Sequence, residues 1–469
     1  MDIVSKLWGF CNTLRHDGMN YGAYIEQLTY LLFLKLADEK GLPLPDGYDW
    51  PALRGKSGID LLDHYRDTLS VLGKQPGLLG DIFAGALSQF REPVNLKRLI
   101  GLIDETEWAA LDVDLKGDAY EGLLQKYAAE QKGAGQYFTP RPLIRTIVQC
   151  LQPDIRAARD FTVHDPAAGT GGFLIGAAEW MFKVSGGQLA RADAQRMRRG
   201  VYSGGELVQE TRRLALMNLY LHEIEGDIHY GDSIAEGDAG RRYDVILTNP
   251  PFGTKGAGAA PERGDFTVAT ANKQLNFIQH VLVILKTGGR AALVLPDNVL
   301  FEENAGRDVR QLLMQDAQLH TILRLPVGTF TPYSPGVKAN VVFFRKGAPT
   351  DEVWVYDLRT NATKVTKRQP LTEAHFADFL ACYGPHPTPR SGDRQESERF
   401  RRFSRQQIAE RDDNLDIFWL RDESLEDADD LPEPEDLLGE ILTQLQAALD
   451  GVNEMTLLLS NGATEQAEA

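Results

Sequence analysis

The stretch that decides the fold is residues 161–180, FTVHDPAAGTGGFLIGAAEW. Its first residues, FTVH, form an apolar and β-branched run that predicts a buried strand, and FLIGAAEW follows as a helix. The small residues between them let a ligand approach the backbone, and the first turn of a helix presents unpaired N–H groups to it. The stretch therefore predicts a ligand-binding turn between a strand and a helix.

The glycines of this turn narrow the choice of ligand. Residues 169–172 read GTGG, whereas a dinucleotide-binding fold would show GxGxxG at the same place. The turn also lacks the GKS or GKT of a phosphate-cradling nucleotide triphosphatase loop. A ligand other than a dinucleotide or a triphosphate is therefore expected.

From about residue 133, strands alternate with helices along the chain. Such alternation implies right-handed βαβ units and an α/β fold with a doubly wound sheet. A last short run, EVWVYDLR, either extends this sheet or begins an appendage. The predicted strands are FTVHD, VYSGGE, YDVILT, RAALVLP, HTILRLP and NVVFFRK, and the helices between them include FLIGAAEWMFK, ELVQETRRLALMNLYLHE, NKQLNFIQHVLVILK and DVRQLLMQD.

The two ends of the chain differ from this central region. Residues 1–130 are predicted to form an all-helical N-terminal domain, because stretches such as GAYIEQLTYLLFLKLADEK carry apolar residues at helical spacing. This domain is expected to pack on a neighbouring domain or to contact a partner or DNA. Residues 131–400 are assigned to the α/β domain, and residues 401–469 to an acidic linker and an amphipathic C-terminal helix, DLLGEILTQLQAALDGVNEMTLLL. A helix of that kind is more often a packing or assembly element than a site.

Composition and charge indicate the compartment of the protein and the kinds of partner it can bind. The chain has 469 residues, 43% hydrophobic and 25% charged, which predicts two or three globular domains. Three scattered cysteines and an N-terminus without a recognisable leader predict a reducing cytoplasm, no membrane contact and no structural zinc site. The net charge of −17 means that a nucleic acid ligand would need a local basic patch or a partner subunit.

Two acidic residues follow at the next strand ends. Glu206 closes VYSGGE, where a carboxylate can accept hydrogen bonds from both hydroxyls of a ribose, and Asp232 in HYGDS can accept from an exocyclic amino group. Each acid alone is also a common helix N-cap. Together with the glycine turn they favour a nucleoside ligand without a pyrophosphate, and S-adenosyl-L-methionine meets that description.

Residues 243–253, YDVILTNPPFG, join another buried strand to two prolines that cannot continue a sheet ladder. Asn249 and Phe252 are therefore held just beyond a strand end, where open α/β sheets bind their ligands. For these residues taken by themselves, a rigid turn with a capping asparagine and a packed phenylalanine is an equal alternative.

This order of motifs resembles the amino-methyltransferases that act on adenine in DNA, whose hallmark is Asp, Asn or Ser followed by two prolines and an aromatic residue. A longer set is similar to the modification subunit of type I restriction–modification systems: GQYFTPRP at residues 135–142, DPAAGTGGFL, ELVQETRRLALMNLYLH, TNPPFG, NKQLNFIQH, GGRAALVLPDNVLFE and LHTILRLPVGTF. The resemblance covers about residues 133–346. It implies an S-adenosyl-L-methionine-dependent methyltransferase that modifies the N6 amino group of adenine in duplex DNA and protects host DNA within a restriction–modification complex.

The resemblance also implies the residues of a cofactor pocket. Asp165 would contact the methionine end of the cofactor directly or through water, Glu206 the ribose, and Asp232 the adenine ring. For the segment GQYFTP, a packed entry loop is the alternative. The implied cofactor-binding residues are Gln136, Tyr137, Phe138, Thr139, Pro140, Arg141, Asp165, Gly169, Thr170, Gly171, Gly172, Glu206 and Asp232, and no metal is expected.

The catalytic role is assigned to the NPPF loop. Adenine's exocyclic amine is a poor nucleophile because its lone pair is delocalised into the ring. The Asn249 side-chain oxygen and the Pro250 carbonyl can accept its hydrogens and stabilise the charge that develops on nitrogen, while Pro251 braces the loop. Phe252 offers a stacking face for a flipped base, and Phe330 is the candidate for the other face, with a core role as the alternative. Transfer would be a direct displacement.

Partners are implied by the resemblance and by what the chain lacks. No long segment after the sheet looks like a target-recognition domain, so a separate specificity subunit is expected to read the DNA sequence. Two modification subunits would join each specificity subunit, with a restriction subunit in the full complex. Lys255, Arg263 and Lys273 are candidate phosphate contacts, although basic surface residues are more often merely solvated.

Two other hypotheses remain open at this stage. A methyltransferase of protein glutamine or of an RNA base shares the NPPF pattern, but GQYFTPRP, NKQLNFIQH and the helical N-terminal domain favour the DNA enzyme. A non-catalytic scaffold with the same fold is the second, and the intact NPPF, GTGG and Glu206 argue against it.

Overall fold

The structure is a computed structural model of the chain. It describes residues 7–11, 14, 18–111, 113–130, 138–186, 188–237, 240–252, 260–331, 336–389 and 392–420, and several positions between 438 and 449. In this part of the chain no helix is long and apolar enough to cross a membrane.

A sheet of nine strands forms the centre of the described chain. The strands are β1 (Val163–Asp165), β2 (Arg199–Glu206), β3 (Glu225–Tyr230), β4 (Tyr243–Thr248), β5 (Leu285–Pro296), β6 (Ala317–Arg324), β7 (Ala339–Lys346), β8 (Glu352–Asp357) and β9 (Phe400–Ser404). Their order across the sheet is β3-β2-β1-β4-β5-β7-β6-β8-β9.

The predicted α/β sheet is confirmed, with additions. Strands β1 to β5 are parallel to one another, and β8 is parallel to β6. Strand β7 runs antiparallel between β5 and β6, and β9 runs antiparallel to β8. EVWVYDLR therefore extends the sheet as β8, while β3 and β9 were missing from the predicted strands.

Helices precede the sheet and connect its strands. They are α1 (Tyr21–Glu39), α2 (Trp50–Arg54), α3 (Gly58–Leu72), α4 (Leu78–Phe83), α5 (Pro93–Asp104), α6 (Val113–Glu130), α7 (Arg141–Leu151), α8 (Gly172–Val184), α9 (Arg191–Arg198), α10 (Gln209–Leu221), α11 (Ser233–Glu236), α12 (Lys273–Ile284), α13 (Asn298–Phe301), α14 (Ala305–Asp316), α15 (Ala377–Tyr383) and α16 (Arg405–Ala409). The described residues before β1 contain no strand, as predicted for the N-terminal domain.

Alternate residues of the strands enter two separate cores. In β4, Val245 and Leu247 join the core that contains the N-terminal helices, whereas Ile246 joins a second core with α12 and α14. This is the outcome expected for a sheet covered on both faces, because successive side chains point to opposite sides.

The N-terminal domain packs on α10 of the sheet domain. Arg213 of α10 is buried, donates from Nε to the Ile82 carbonyl at 2.7 Å and pairs with Glu26. Two turns further on, the rings of Tyr220 and Phe33 are 5.1 Å apart. The prediction that the helical domain packs on a neighbour is met within the chain itself.

The sheet continues beyond the predicted boundary at residue 400. Strand β9 spans that position, and after α16 the Leu415 N–H donates to the Leu300 carbonyl at 2.9 Å. Residues up to 420 therefore contact the sheet domain. The division of the chain into three domains stays a prediction.

Candidate active site

Parallel strands bring most of the predicted site to one edge of the sheet. β1 ends at Asp165, β2 ends at Glu206, β3 ends two residues before Asp232, and β4 ends directly before Asn249. The carboxyl ends of parallel strands lie on the same side, where α/β sheets bind ligands. Four separate sequence motifs thus become neighbours.

Glu206 holds the glycine turn in place. Its carboxylate oxygens accept from the N–H groups of Gly169 at 3.0 Å and Val208 at 2.9 Å, and burial raises its pKa. Gly169 has φ +53° and Gly171, the N-cap of α8, has φ +80°, which glycine adopts without strain. A Cβ added to Gly169 would meet no atom within 4 Å, so this side of the turn faces open space.

Thr170 and Gly172 have structural contacts of their own. The Thr170 carbonyl accepts from Nδ2 of Asn218 at 2.9 Å, which ties the turn to α10. A Cβ on Gly172 would lie 2.9 Å from Cδ1 of Ile144 in α7. Gly172 therefore permits the close packing of α7 on α8.

Asp165 lies beneath the turn. Its side chain is 1% exposed and accepts from the Ala167 N–H at 3.0 Å. Burial raises the pKa of Asp165 to about 7, and the neighbouring Glu206 carboxylate adds to this rise, whereas the Ala167 N–H opposes it. In this arrangement the carboxyl group supports the turn from inside.

A contact that the sequence prediction missed joins β2 to the Asp232 turn. A Cβ on Gly205 would lie 2.1 Å from Oγ of Ser233, and this Oγ donates to the Pro166 carbonyl at 2.7 Å. Asp232 caps α11 by accepting from the Ile234 N–H at 2.9 Å. The paired glycines of VYSGGE were the available signal for this close approach.

Asn249 is oriented by a residue from the GQYFTP segment. Its Nδ2 donates to Oγ1 of Thr139 at 2.9 Å, whereas its Oδ1 is buried without a hydrogen-bond partner in the part of the chain that is described. The neighbouring Pro250 is buried, and the Pro251 carbonyl accepts from Nε2 of Gln274 at 3.3 Å. An unsatisfied buried acceptor costs about 1–3 kcal/mol, so a donor arriving here would be favoured.

Comparisons with known proteins assign the family. The N-6 DNA methylase family matches residues 111–426, and the HsdM N-terminal domain family matches residues 3–43. The chain is 42% identical, over 100% of its length and 97% of the relative's, to the type I restriction enzyme StySPI methylase subunit of Salmonella potsdam. The chain belongs to the methylase subunits of type I restriction enzymes.

Two solved structures extend the similarity of this methylase subunit to its fold. The crystal structure of the EcoKI M protein is 36% identical and has a TM-score of 0.56, covering 97% of this chain and 96% of that one. A structure described as the basis of complex assembly and conformational transition of the type I restriction–modification system is 26% identical, with a TM-score of 0.74 and 98% coverage of both chains.

Arg141 of the methylase subunit has partners other than the predicted cofactor. Its guanidinium pairs with Glu121 of α6 and, at 3.1 Å, with Glu179 of α8. The residue therefore links the N-terminal domain to the helix that follows the glycine turn. Of the other residues in its segment, Gln136 and Tyr137 lie outside the described residues, whereas Phe138, Thr139 and Pro140 are half-buried before α7.

Phe330 occupies a position different from the predicted second stacking face. Its side chain is 0% exposed, and its ring meets Phe252 edge to face with centroids 5.6 Å apart. A base cannot lie between two rings that touch each other. In this arrangement Phe330 supports Phe252 from the core, which was the alternative considered from the sequence.

The predicted phosphate contacts of the methylase subunit are only partly described. Arg263 is wrong as a candidate: its side chain is 7% exposed, pairs with Asp265 at 2.7 Å and donates to the Ile234 carbonyl at 2.8 Å. It joins the segment after NPPF to the Asp232 turn instead. Lys255 lies outside the described residues, and Lys273 is half-buried at the start of α12.

Proposed function

We propose that this methylase subunit transfers a methyl group from S-adenosyl-L-methionine to the N6 amino group of adenine in duplex DNA by direct displacement. Family membership gives the reaction class, adenine-specific DNA methylation. The single observation that carries the mechanism is the orientation of Asn249, whose buried Oδ1 lies beside two prolines and has no hydrogen-bond partner among the described residues.

The cofactor side of the site fits a nucleoside-bearing ligand. Open space beside Gly169 adjoins Glu206, whose carboxylate oxygens keep lone pairs for ribose hydroxyls after accepting backbone N–H groups. Leu207 next to it is 54% exposed, an apolar surface suited to a purine. Asp232 would face the adenine ring, and Asp165 would support the methionine end through the turn. S-adenosyl-L-methionine supplies an electrophilic methyl group on a sulfonium.

The base side of the site activates the amine. Oδ1 of Asn249 and the Pro250 carbonyl accept the two amine hydrogens, which favours a pyramidal nitrogen with its lone pair free to attack. Thr139 and the prolines fix these acceptors in advance, so little reorganisation accompanies transfer. Phe252, supported by Phe330, stacks on the base after it leaves the duplex.

Labelled methyl transfer to duplex DNA, followed by nucleoside analysis, tests the proposal. N6-methyladenine is the expected product when the specificity subunit is present. Label recovered on protein or RNA would favour the alternative substrates, and no transfer with the partner present would leave the non-catalytic scaffold. Relatives named as type I methylase subunits support the DNA substrate over these alternatives.

We also propose that the C-terminal helix binds the specificity subunit, in a complex with two methylase subunits per specificity subunit and a restriction subunit in the full enzyme. The described positions there include Leu438, Ile441, Leu442, Leu445 and Leu449, which are exposed and recur at helical spacing. Such a complex would act on DNA in the cytoplasm.

A substitution of the exposed apolar residues tests this assembly role. Replacing Leu438, Leu442 and Leu445 together by Gln is expected to abolish co-purification with the specificity subunit while the isolated subunit keeps its cofactor affinity. Replacing the polar Thr443 by Gln serves as the matched control. An intact complex with the triple variant on size exclusion would contradict the proposal.

A further inference from the structure

One surface loop carries positive charge against the strongly negative balance of the chain. Residues 358–372, LRTNATKVTKRQPLT, contain four basic residues and no acidic residue, in a chain of net charge −17. Arg359 is neutralised by Asp297, with Nη2 donating to Oδ1 at 2.9 Å. Lys364, Lys367 and Arg368 are exposed. We name residues 358–372 the basic loop.

The basic loop lies on the active-site edge of the sheet. It follows the carboxyl end of β8, which is parallel to β6. Both β6 and β5 run antiparallel to β7, so β8 has the direction of β5 and of its parallel neighbour β4. The end of β8 therefore lies on the same side as the end of β4, where Asn249 begins the catalytic loop.

Two successive contacts connect the basic loop to the catalytic motif. A Cβ on Gly328 would lie 2.1 Å from the carbonyl of Val365, so the basic loop packs closely on the loop that carries Phe330. The Phe330 ring in turn contacts Phe252. The basic loop is thus linked to Phe252 through the loop that carries Phe330.

Hydrogen bonds fix the backbone of the basic loop. The Thr366 N–H donates to the Gln369 carbonyl at 3.0 Å, and the Gln369 N–H donates to Thr366 Oγ1 at 3.1 Å, which makes a tight turn with Lys367 and Arg368 at its tip. At the base of the loop, Arg399 donates to the Thr360 carbonyl at 2.6 Å. The loop backbone therefore requires little further ordering when an anion binds.

We propose that the basic loop binds the phosphodiester backbone of duplex DNA next to the flipped adenine. Phosphate contacts from Lys and Arg position a protein on DNA without reading its sequence, which suits a subunit whose sequence recognition lies on another chain. With Arg263 engaged by Asp265, the loop supplies the local basic patch that an acidic DNA enzyme requires. This inference rests on the proposed action on DNA together with a specificity subunit.

Salt dependence of DNA binding tests the basic loop. The complex with the specificity subunit is prepared with Lys364→Gln, Lys367→Gln and Arg368→Gln together, and equilibrium binding to duplex DNA is measured over a range of salt concentrations. Each lost phosphate contact reduces the slope of log K against log salt by about 0.9, so a reduction of up to about 2.7 is expected. Affinity for S-adenosyl-L-methionine and turnover at saturating DNA should be unchanged.

A matched variant separates loop contacts from the overall charge. Arg159, Arg198 and Arg242 are exposed and precede β1, β2 and β4, so they lie towards the opposite edge of the sheet. Changing these three to Gln alters the net charge by the same amount. The slope of log K against log salt should then differ from that of the unaltered complex by less than the value for one phosphate contact. The inference would be overturned if the slope fell equally in both variants, or if it did not fall in the loop variant. Because binding is measured directly, a failure of methylation by the unaltered complex would affect only the proposed function.

Discussion

The two halves of the active-site edge are built in opposite ways. On the cofactor side, Glu206 and Asp165 accept hydrogen bonds from backbone N–H groups of the glycine turn. On the base side, the Oδ1 atom of Asn249 is buried and lacks a partner within the described chain, although its Nδ2 is held by Thr139. The cofactor side is thus largely complete before a ligand binds, whereas the base side leaves one acceptor for the substrate to satisfy.

Asn249→Ala should produce the largest effect and test the base side alone. Loss of an oriented hydrogen-bonding group that acts on the transition state is expected to reduce turnover by about 100- to 1,000-fold. Cofactor affinity, measured by calorimetry, should change little. Asn249→Asp keeps an acceptor oxygen and should retain more activity than Ala. A main loss in cofactor affinity would contradict the separation of the two sides.

Gly205→Ala should damage the cofactor side. The new Cβ would lie 2.1 Å from Ser233 Oγ, and relief of this overlap has to rotate the hydroxyl away from the Pro166 carbonyl or move one of the two turns. Overpacking of this kind costs about 1–3 kcal/mol, so cofactor affinity is expected to fall roughly 10-fold or more. Adding Ser233→Ala removes the clashing oxygen and should recover part of the loss. If the double variant binds no better than the single one, the Ser233 contact is not the cause.

Thr139→Val tests which side of the site Thr139 serves. Without the hydroxyl, the Asn249 amide loses the partner that orients it, and turnover should fall about 5-fold, in line with about 1 kcal/mol for one hydrogen bond. Thr139→Ser should retain turnover because it keeps the hydroxyl. A selective rise in the KM for S-adenosyl-L-methionine would instead support the cofactor role that the sequence resemblance implies.

Asp165 is expected to affect stability rather than turnover, through a pH dependence of unfolding. Its pKa is raised from 3.8 to about 7 in the folded protein. Between pH 4 and 7 the folded state thus keeps a proton that the unfolded chain has released, and the free energy of unfolding falls as the pH rises, by at most about 1.4 kcal/mol per unit. Urea unfolding at pH 5, 6 and 7 should show a weaker decline for Asp165→Asn. Equal declines would show that Asp165 ionises normally.

The sequence predicted the parts of the fold that depend on local patterns. Strands β1, β2 and β4 to β8 are short apolar runs, and the carboxyl-edge position of Asp165, Glu206 and Asn249 follows from where those runs end. β3 was missed because it is largely exposed, and β9 because its polar residues form a strand only by pairing with β8. The antiparallel direction of β7 depends on its connections, which its composition does not encode.

The contacts within the site were harder to predict. GQYFTPRP indicated a cofactor segment, but Thr139 contacts Asn249 and Arg141 pairs with acidic residues on two helices. The partners of a long side chain depend on packing between elements that are distant in the chain. Phe330 illustrates the same limit, since a conspicuous aromatic residue near a site can equally be core.

The Asn249 oxygen, which has no partner within the described part of the chain, would also discriminate between the bases that enter the pocket. A base with an exocyclic amine relieves the buried acceptor, whereas thymine would place a carbonyl oxygen against it and leave both groups without a donor. Discrimination of this kind requires no contact with the neighbouring nucleotides. The loop would therefore favour adenine over thymine, its pairing partner on the opposite strand, even before the DNA sequence is read.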